Sequence, residues 1–189
     1  MSLRHRWILA ATIVLAGVAL DQATKWVAQE HLSPERSSVD ANLSWAKEGP
    51  LKDVFRLQYA RNPGAFLSLF ASLPDTTRVW VLLGVNSVIL VALLVFLGLK
   101  QDLTLGVVSA LSLVLSGGVG NLIDRIFRDE HEVVDFMNMG IGGLRTGIFN
   151  VADLAIVAGV ITLLVLELSG WGTAPQDTAR PAAPEDPAA

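Results

Sequence analysis

Two stretches of this chain, Val79–Leu99 and Leu103–Ile123, each run for about 21 residues without a charge, and roughly 20 apolar residues carry a helix across the hydrocarbon core of a bilayer. Within that core every backbone N–H and C=O must find its partner inside the chain, so such segments are helical. Two further runs are apolar but interrupted. Trp7–Leu20 continues through Asp21 and Lys25 to about Ala28, and Phe149–Leu166 carries Asn150 and Asp153 at its start. The pattern predicts a mainly α membrane protein with four transmembrane helices at about 7–28, 79–99, 103–124 and 149–168. Charged residues make up only 17% of the chain, against about 25% in a soluble domain.

Arg4 and Arg6 before an apolar run resemble the start of a signal peptide, but no small-residue cleavage site follows, and a retained helix is expected. A net charge of −4 and the lack of a basic cluster argue against nucleic acid as a partner. With no cysteine, disulfides, thiol catalysis and thiolate metal sites are excluded.

The first helix usually sets topology, and Arg4 and Arg6 favour a cytoplasmic start. Four spans then leave both termini cytoplasmic, the turn 100–104 inside, and the segments 29–77 and 124–148 outside. Counting Lys and Arg opposes this, because the outer segments hold Lys47, Lys52, Arg56, Arg61, Arg125, Arg128 and Arg145. Long loops weigh little in that rule, however. In the first outer segment, Val54, Phe55, Leu57 and Tyr59 alternate before Asn62-Pro63-Gly64, which predicts a small extracytoplasmic β element lying on the membrane. In the second, Gly140, Gly142, Gly143 and Gly147 predict a flexible flap over 126–148. Residues 1–171 read as one membrane domain; 172–189, rich in Ala, Pro and acids, read as a disordered cytoplasmic tail.

Charges at the bilayer edge are costly and need a reason. Asp21 and Lys25, four apart, share a helix face and read as a self-neutralising pair that supports the fold. Asn121, Asp124 and Arg125 also share a face, below Gly117, Gly118 and Gly120, which allow close helix approach. Either Asp124 and Arg125 cap the span as an ion pair, or Asn121 and Arg125 grip a substrate backbone; spacing leaves both readings open. Asn150 followed by Asp153 is an ordinary capping arrangement. Asp135 adds a second reading: it sits in an apolar, strand-like setting among Val133, Val134 and Phe136, where a lone acid has no solvating reason to be. Two carboxylates in contact share a proton, so one activates water while the other protonates a carbonyl. An acid pair formed by Asp135 and Asp153 would therefore cut an amide with no cofactor.

His131-Glu132-Val133-Val134-Asp135 begins like a zinc-peptidase motif, but Asp135 stands where the second His is needed, and His5 and His31 are remote in sequence. No metal is expected. A proton-coupled transporter would want acids at mid-bilayer, where these spans have none; a scaffold leaves Asp135 unexplained.

With these residues assembled, the chain resembles the lipoprotein signal peptidases, the bacterial type II signal peptidases. The likeness runs from Trp7 to about Trp171 and rests on five blocks in order: DQATKW (Asp21–Trp26), YARNPGAF (Tyr59–Phe66), GGVGNLIDR (Gly117–Arg125), VVDF (Val133–Phe136) and FNVAD (Phe149–Asp153). It implies an aspartic endopeptidase that removes signal peptides from diacylglyceryl-modified prolipoproteins, cleaving before the lipidated cysteine. Asp135 and Asp153 would be the catalytic dyad. Asn62, Gly64, Asn121, Arg125, Asn150 and Ala152 would bind substrate or orient the acids, with Asp21, Lys25 and Asp124 as support. It also implies a monomer in the bacterial inner membrane, an active site near the outer face, contact with membrane lipids, and inhibition by globomycin-like peptides. One block departs from the family pattern N-x-G-A-A-F: here Asn62-Pro63-Gly64-Ala65 is followed by Phe66 and Leu67, so the substrate pocket is expected to differ in shape.

Overall fold

The computed structural model describes residues 1–34, 42–44, 54–64 and 73–170. Among them are four helices long and apolar enough to span a membrane. Helix α1 (Leu3–Leu32) opens at Ser2, whose Oγ accepts the His5 amide. Its 30 residues extend to about 45 Å, beyond the ~30 Å of hydrocarbon. Helix α2 (Asp75–Leu99) carries Asp75 in its first turn, ion-paired with Arg78 at 2.7 Å, where a negative charge suits the helix dipole. Helix α3 (Leu105–Phe127) is capped by the Thr104 hydroxyl, and α4 (Val151–Leu168) by Asn150.

Helix α3 packs against the other three. Half of its most apolar window is buried, against 11–17% for α1, α2 and α4. It is therefore the core, and the others turn residues such as Leu15, Val88, Val160 and Leu164 outward. The contact between α3 and α4 is very close. A Cβ on Gly117 would collide with the Ala152 carbonyl, and one on Gly159 would lie 2.6 Å from the Ala110 carbonyl oxygen. Small residues at such crossings let backbones meet, which is how helices associate where water supplies no driving force.

A four-stranded antiparallel sheet, ordered β1-β2-β3-β4, lies at the end of the bundle where α1 and α3 finish and α4 begins. Its strands are β1 (Asn42–Ser44), β2 (Phe55–Asn62), β3 (Val133–Ile141) and β4 (Leu144–Arg145). Ala60 pairs with Asp135 and Asn62 with Val133, and a bulge lies between Leu57 and Ala60. Phe55, Leu57 and Tyr59 of β2 pack on the cluster of Ala28, Leu32, Phe136 and Met137, in line with the β element expected there.

The glycine-rich segment 126–148, read from sequence as a flap, is about half strand, as β3 and β4. The branched and aromatic residues Val133, Val134 and Phe136 favour the strand. The glycines are confined to the hairpin: Gly140 pairs across from Arg145, and Gly142 takes the turn with φ +59°. Between α3 and β3 the chain reverses through Glu130 and His131, both left-handed at φ 60° and 59°. Phe66, Leu67 and the tail 172–189 lie outside the described residues.

Candidate active site

Asp135 enters the site from β3, 2% exposed. Asn62, from the end of β2, donates its amide to Asp135 Oδ2 at 2.8 Å, and Asn150 donates to Oδ1 at 2.6 Å. Burial is the main influence on this carboxyl, followed by the negative charge of Asp153; the two amides and Lys25 oppose them. The balance pushes the Asp135 pKa up to about 7. It thus holds a proton at pH values where an ordinary carboxylate does not.

Asp153 arrives from the first turn of α4 and is half-buried. Its Oδ1 accepts from Asn121 Nδ2 at 2.9 Å and its Oδ2 from the Asn150 backbone N–H at 3.1 Å. Asn150 returns the contact, its Oδ1 accepting the Asp153 amide at 2.9 Å. The capping box inferred from spacing is therefore present, and the same residues form the acid site. Asn150 joins the two acids directly, holding Asp135 by its side chain and Asp153 by its backbone.

Asn121 and Arg125 share one face of α3. Arg125 is buried, donating to the Gly64 carbonyl at 2.7 Å and the Asn121 carbonyl at 3.2 Å, which ties the segment after β2 to the site. Asp124 points elsewhere. Lys25 Nζ lies 2.8 Å from Asp21 Oδ2, 2.9 Å from Asp124 Oδ2 and 3.0 Å from Asn121 Oδ1, so its three N–H groups have three acceptors. The Asp124–Arg125 pair considered from sequence is not formed; Arg128 reaches Asp124 instead, at 2.8 Å. Asp21 Oδ1 accepts the Ala152 amide at 2.9 Å, so one helix supplies a carboxylate to the N-terminus of another.

Sequence reasoning missed Gln22, Gln29 and Arg128. Gln22 donates to Asp124 Oδ1 and the Gly120 carbonyl, and Arg128 donates to Gln29 Oε1 at 2.6 Å. Their only signal was helical spacing: Arg128 falls four after Asp124, and Gln29 four after Lys25. His131, the decoy ligand, turns Nδ1 to the Arg125 carbonyl at 2.7 Å.

Fold and site together define a four-helix membrane protein with two aspartates, Asp135 and Asp153, tied to one asparagine and ringed by amides where the bundle meets a small sheet. Residues 13–169 match the family model for signal peptidase (SPase) II. The lipoprotein signal peptidase of Sphingopyxis alaskensis is 38% identical over 172 residues, covering 89% of this chain and 91% of that protein. That of Halalkalibacterium halodurans is 34% identical over 155 residues, covering 82% and 85%. A bacterial membrane enzyme solved by the in meso method superimposes with a TM-score of 0.67 at 28% identity, covering 86% of this chain and 88% of its own. The chain belongs to the signal peptidase II family.

Proposed function

We propose that this chain is a lipoprotein signal peptidase that cleaves diacylglyceryl-modified prolipoproteins immediately before the lipidated cysteine, with Asp135 and Asp153 as an aspartic dyad. The observation carrying the reading is the shared clamp of Asn150 on both acids, beside a second amide on each. In the mechanism, Asp153 takes a proton from water as the water oxygen adds to the scissile carbonyl, and Asp135 protonates that carbonyl oxygen. Collapse breaks the C–N bond: the proton on Asp153 goes to the leaving amine, and a hydroxyl of the tetrahedral intermediate returns its proton to Asp135. Metal and cofactor have no part in these steps.

Asn62, Asn121 and Asn150 orient the acids, Arg125 and the Gly64 carbonyl face the extended substrate, and Ala152 fixes the start of α4 through its amide. Asp21, Lys25 and Asp124 support this arrangement. Arg4 and Arg6 favour a cytoplasmic N-terminus, which puts both termini inside and the sheet and dyad at the outer face of the inner membrane. There the scissile bond of a lipid-anchored substrate emerges from the bilayer. The enzyme acts as a monomer among membrane lipids, and globomycin-like cyclic peptides inhibit it.

The test is a gel-shift assay with purified protein in detergent and a diacylglyceryl-prolipoprotein verified with a known enzyme. A globomycin-sensitive mobility shift is expected. Folded protein that leaves the substrate intact overturns the assignment.

A further inference from the structure

The Asn121 side chain is held at both ends. Its Oδ1 accepts from Lys25 Nζ at 3.0 Å and from Asn150 Nδ2 at 3.2 Å. An ammonium has no acceptor, so Lys25 forces the oxygen of this amide towards itself and the NH₂ towards Asp153, whose Oδ1 it meets at 2.9 Å. Without that cation the amide could turn over and set its oxygen against the acid.

Two of the three N–H groups of the ammonium are taken by carboxylates. Asp21 and Asp124 are both within 2.9 Å, and both are almost completely buried. The third N–H of this buried ammonium also needs an acceptor, and the one it meets is Asn121 Oδ1. That third bond leads to the dyad. We propose that Lys25 is a positioning residue for catalysis, which acts through the Asn121 amide to keep Asp153 as the proton acceptor of the pair and leave the shared proton on Asp135. This rests on the aspartic-dyad reading above.

The charged groups around the Lys25–Asn121–Asp153 line support this direction. From α1 there are Asp21 and Lys25; from α3, Asp124, Arg125 and Arg128; from β3, Asp135. Arg128 neutralises Asp124 on its far side, and Asp21 is turned to the Ala152 amide. Lys25 is a cation bonded to an amide that itself bonds Asp153. Charge on one end of an amide polarises the donor at the other, strengthening the bond to a carboxylate rather than to a carboxylic acid.

Removing Lys25 alone leaves buried carboxylates unpaired and risks the fold, so the variant to use is Lys25→Met with Asp124→Asn, compared with Asp124→Asn alone and each combined with Asn121→Ala. The wild-type protein must first cleave lipidated substrate in a globomycin-sensitive manner; its failure would refute the peptidase reading and not this one. In folded variants, loss of Lys25 is expected to lower kcat about tenfold or more, part of the 10²–10⁴ available to general acid–base catalysis, with KM changed less than about twofold. The acid limb of the kcat/KM profile is expected to move to higher pH, because the pair becomes harder to ionise. In the Asn121→Ala background, removing Lys25 should then have little further effect on kcat. A lowered Tm with unchanged kcat and pH profile, or multiplicative losses from Lys25 and Asn121, would overturn the proposal.

Discussion

Burial and the facing charge of Asp153 both disfavour ionisation of Asp135, and the amides of Asn62 and Asn150 only partly offset them. Between its ordinary value of 3.8 and about 7, the folded protein keeps a proton that the unfolded chain has released. Stability therefore falls as pH rises through that window and levels off above it, by at most roughly 4 kcal/mol at 1.36 kcal/mol per pKa unit. Asp135→Asn should abolish most of this slope, seen as Tm against pH from 4 to 8 in detergent. A wild-type Tm that climbs steadily over this range would contradict the protonated Asp135. The same substitution, and Asp153→Asn, should each cut kcat by at least about a thousandfold, while near pH 8 the Asp135→Asn protein melts no lower than wild type. Stability kept and turnover lost is what separates a functional acid from a structural one. Turnover within tenfold of wild type in either variant would remove that acid from the dyad.

Element by element, the site depends on where α4 begins, and α3 sets that position. Ala152 lies against Gly117 through its carbonyl and is bonded to Asp21 through its amide. Gly117→Ala would push the first turn of α4, and Asp153 with it, away from Asn121. A loss of about 1–3 kcal/mol is expected from overpacking, with kcat reduced as well. Gly84→Ala on α2 is the control, since a Cβ there meets nothing within 4 Å; helix propensity alone predicts a gain of up to about 1 kcal/mol. Thermal melts and turnover of the two variants check both, and equal behaviour would refute the close-contact argument. These elements differ in how legible they were. The spans could be read because the lack of charge across Val79–Leu99 and Leu103–Ile123 is a one-dimensional property. The Asp21–Lys25 pair and the Asn150 cap could be read because helical spacing is local. The start of the strand at Val133–Ile141 reads as strand-like around Asp135, but its length was obscured by glycines that belong to its hairpin, and its pairing with β2 joins residues about 75 positions apart. The bond from Arg128 to Gln29 depends on how α1 and α3 pack, which no local pattern encodes.

Across the whole molecule, buried cations lock the bundle at both ends. At the site end, Lys25 joins α1 to α3 through Asp124 and Asn121. At the other end, Arg6 is 3% exposed and donates to the carbonyls of Leu97 at 2.9 Å, Lys100 at 2.5 Å and Gln101 at 2.6 Å. These carbonyls finish α2 and enter the turn to α3, where the helix dipole presents negative charge and the last C=O groups have no partner in the helix. Arg6 therefore fastens the start of α1 to the α2–α3 turn, although the sequence offered it only as a topology signal. Arg6→Met keeps the apolar stem and removes three charge-assisted bonds, each worth about 1.5–3 kcal/mol, with the freed carbonyls partly recovered by water or headgroups at the bilayer edge. The expected result is a clear drop in Tm, of several degrees, with kcat for lipidated substrate unchanged at temperatures where the protein is folded. The distance along α1 explains the separation: Arg6 and Lys25 are about 28 Å apart at 1.5 Å per residue, and the intervening bundle carries no polar chain from one to the other among the described residues. A turnover defect in Arg6→Met that persists well below its Tm would mean that the two ends are coupled through α1.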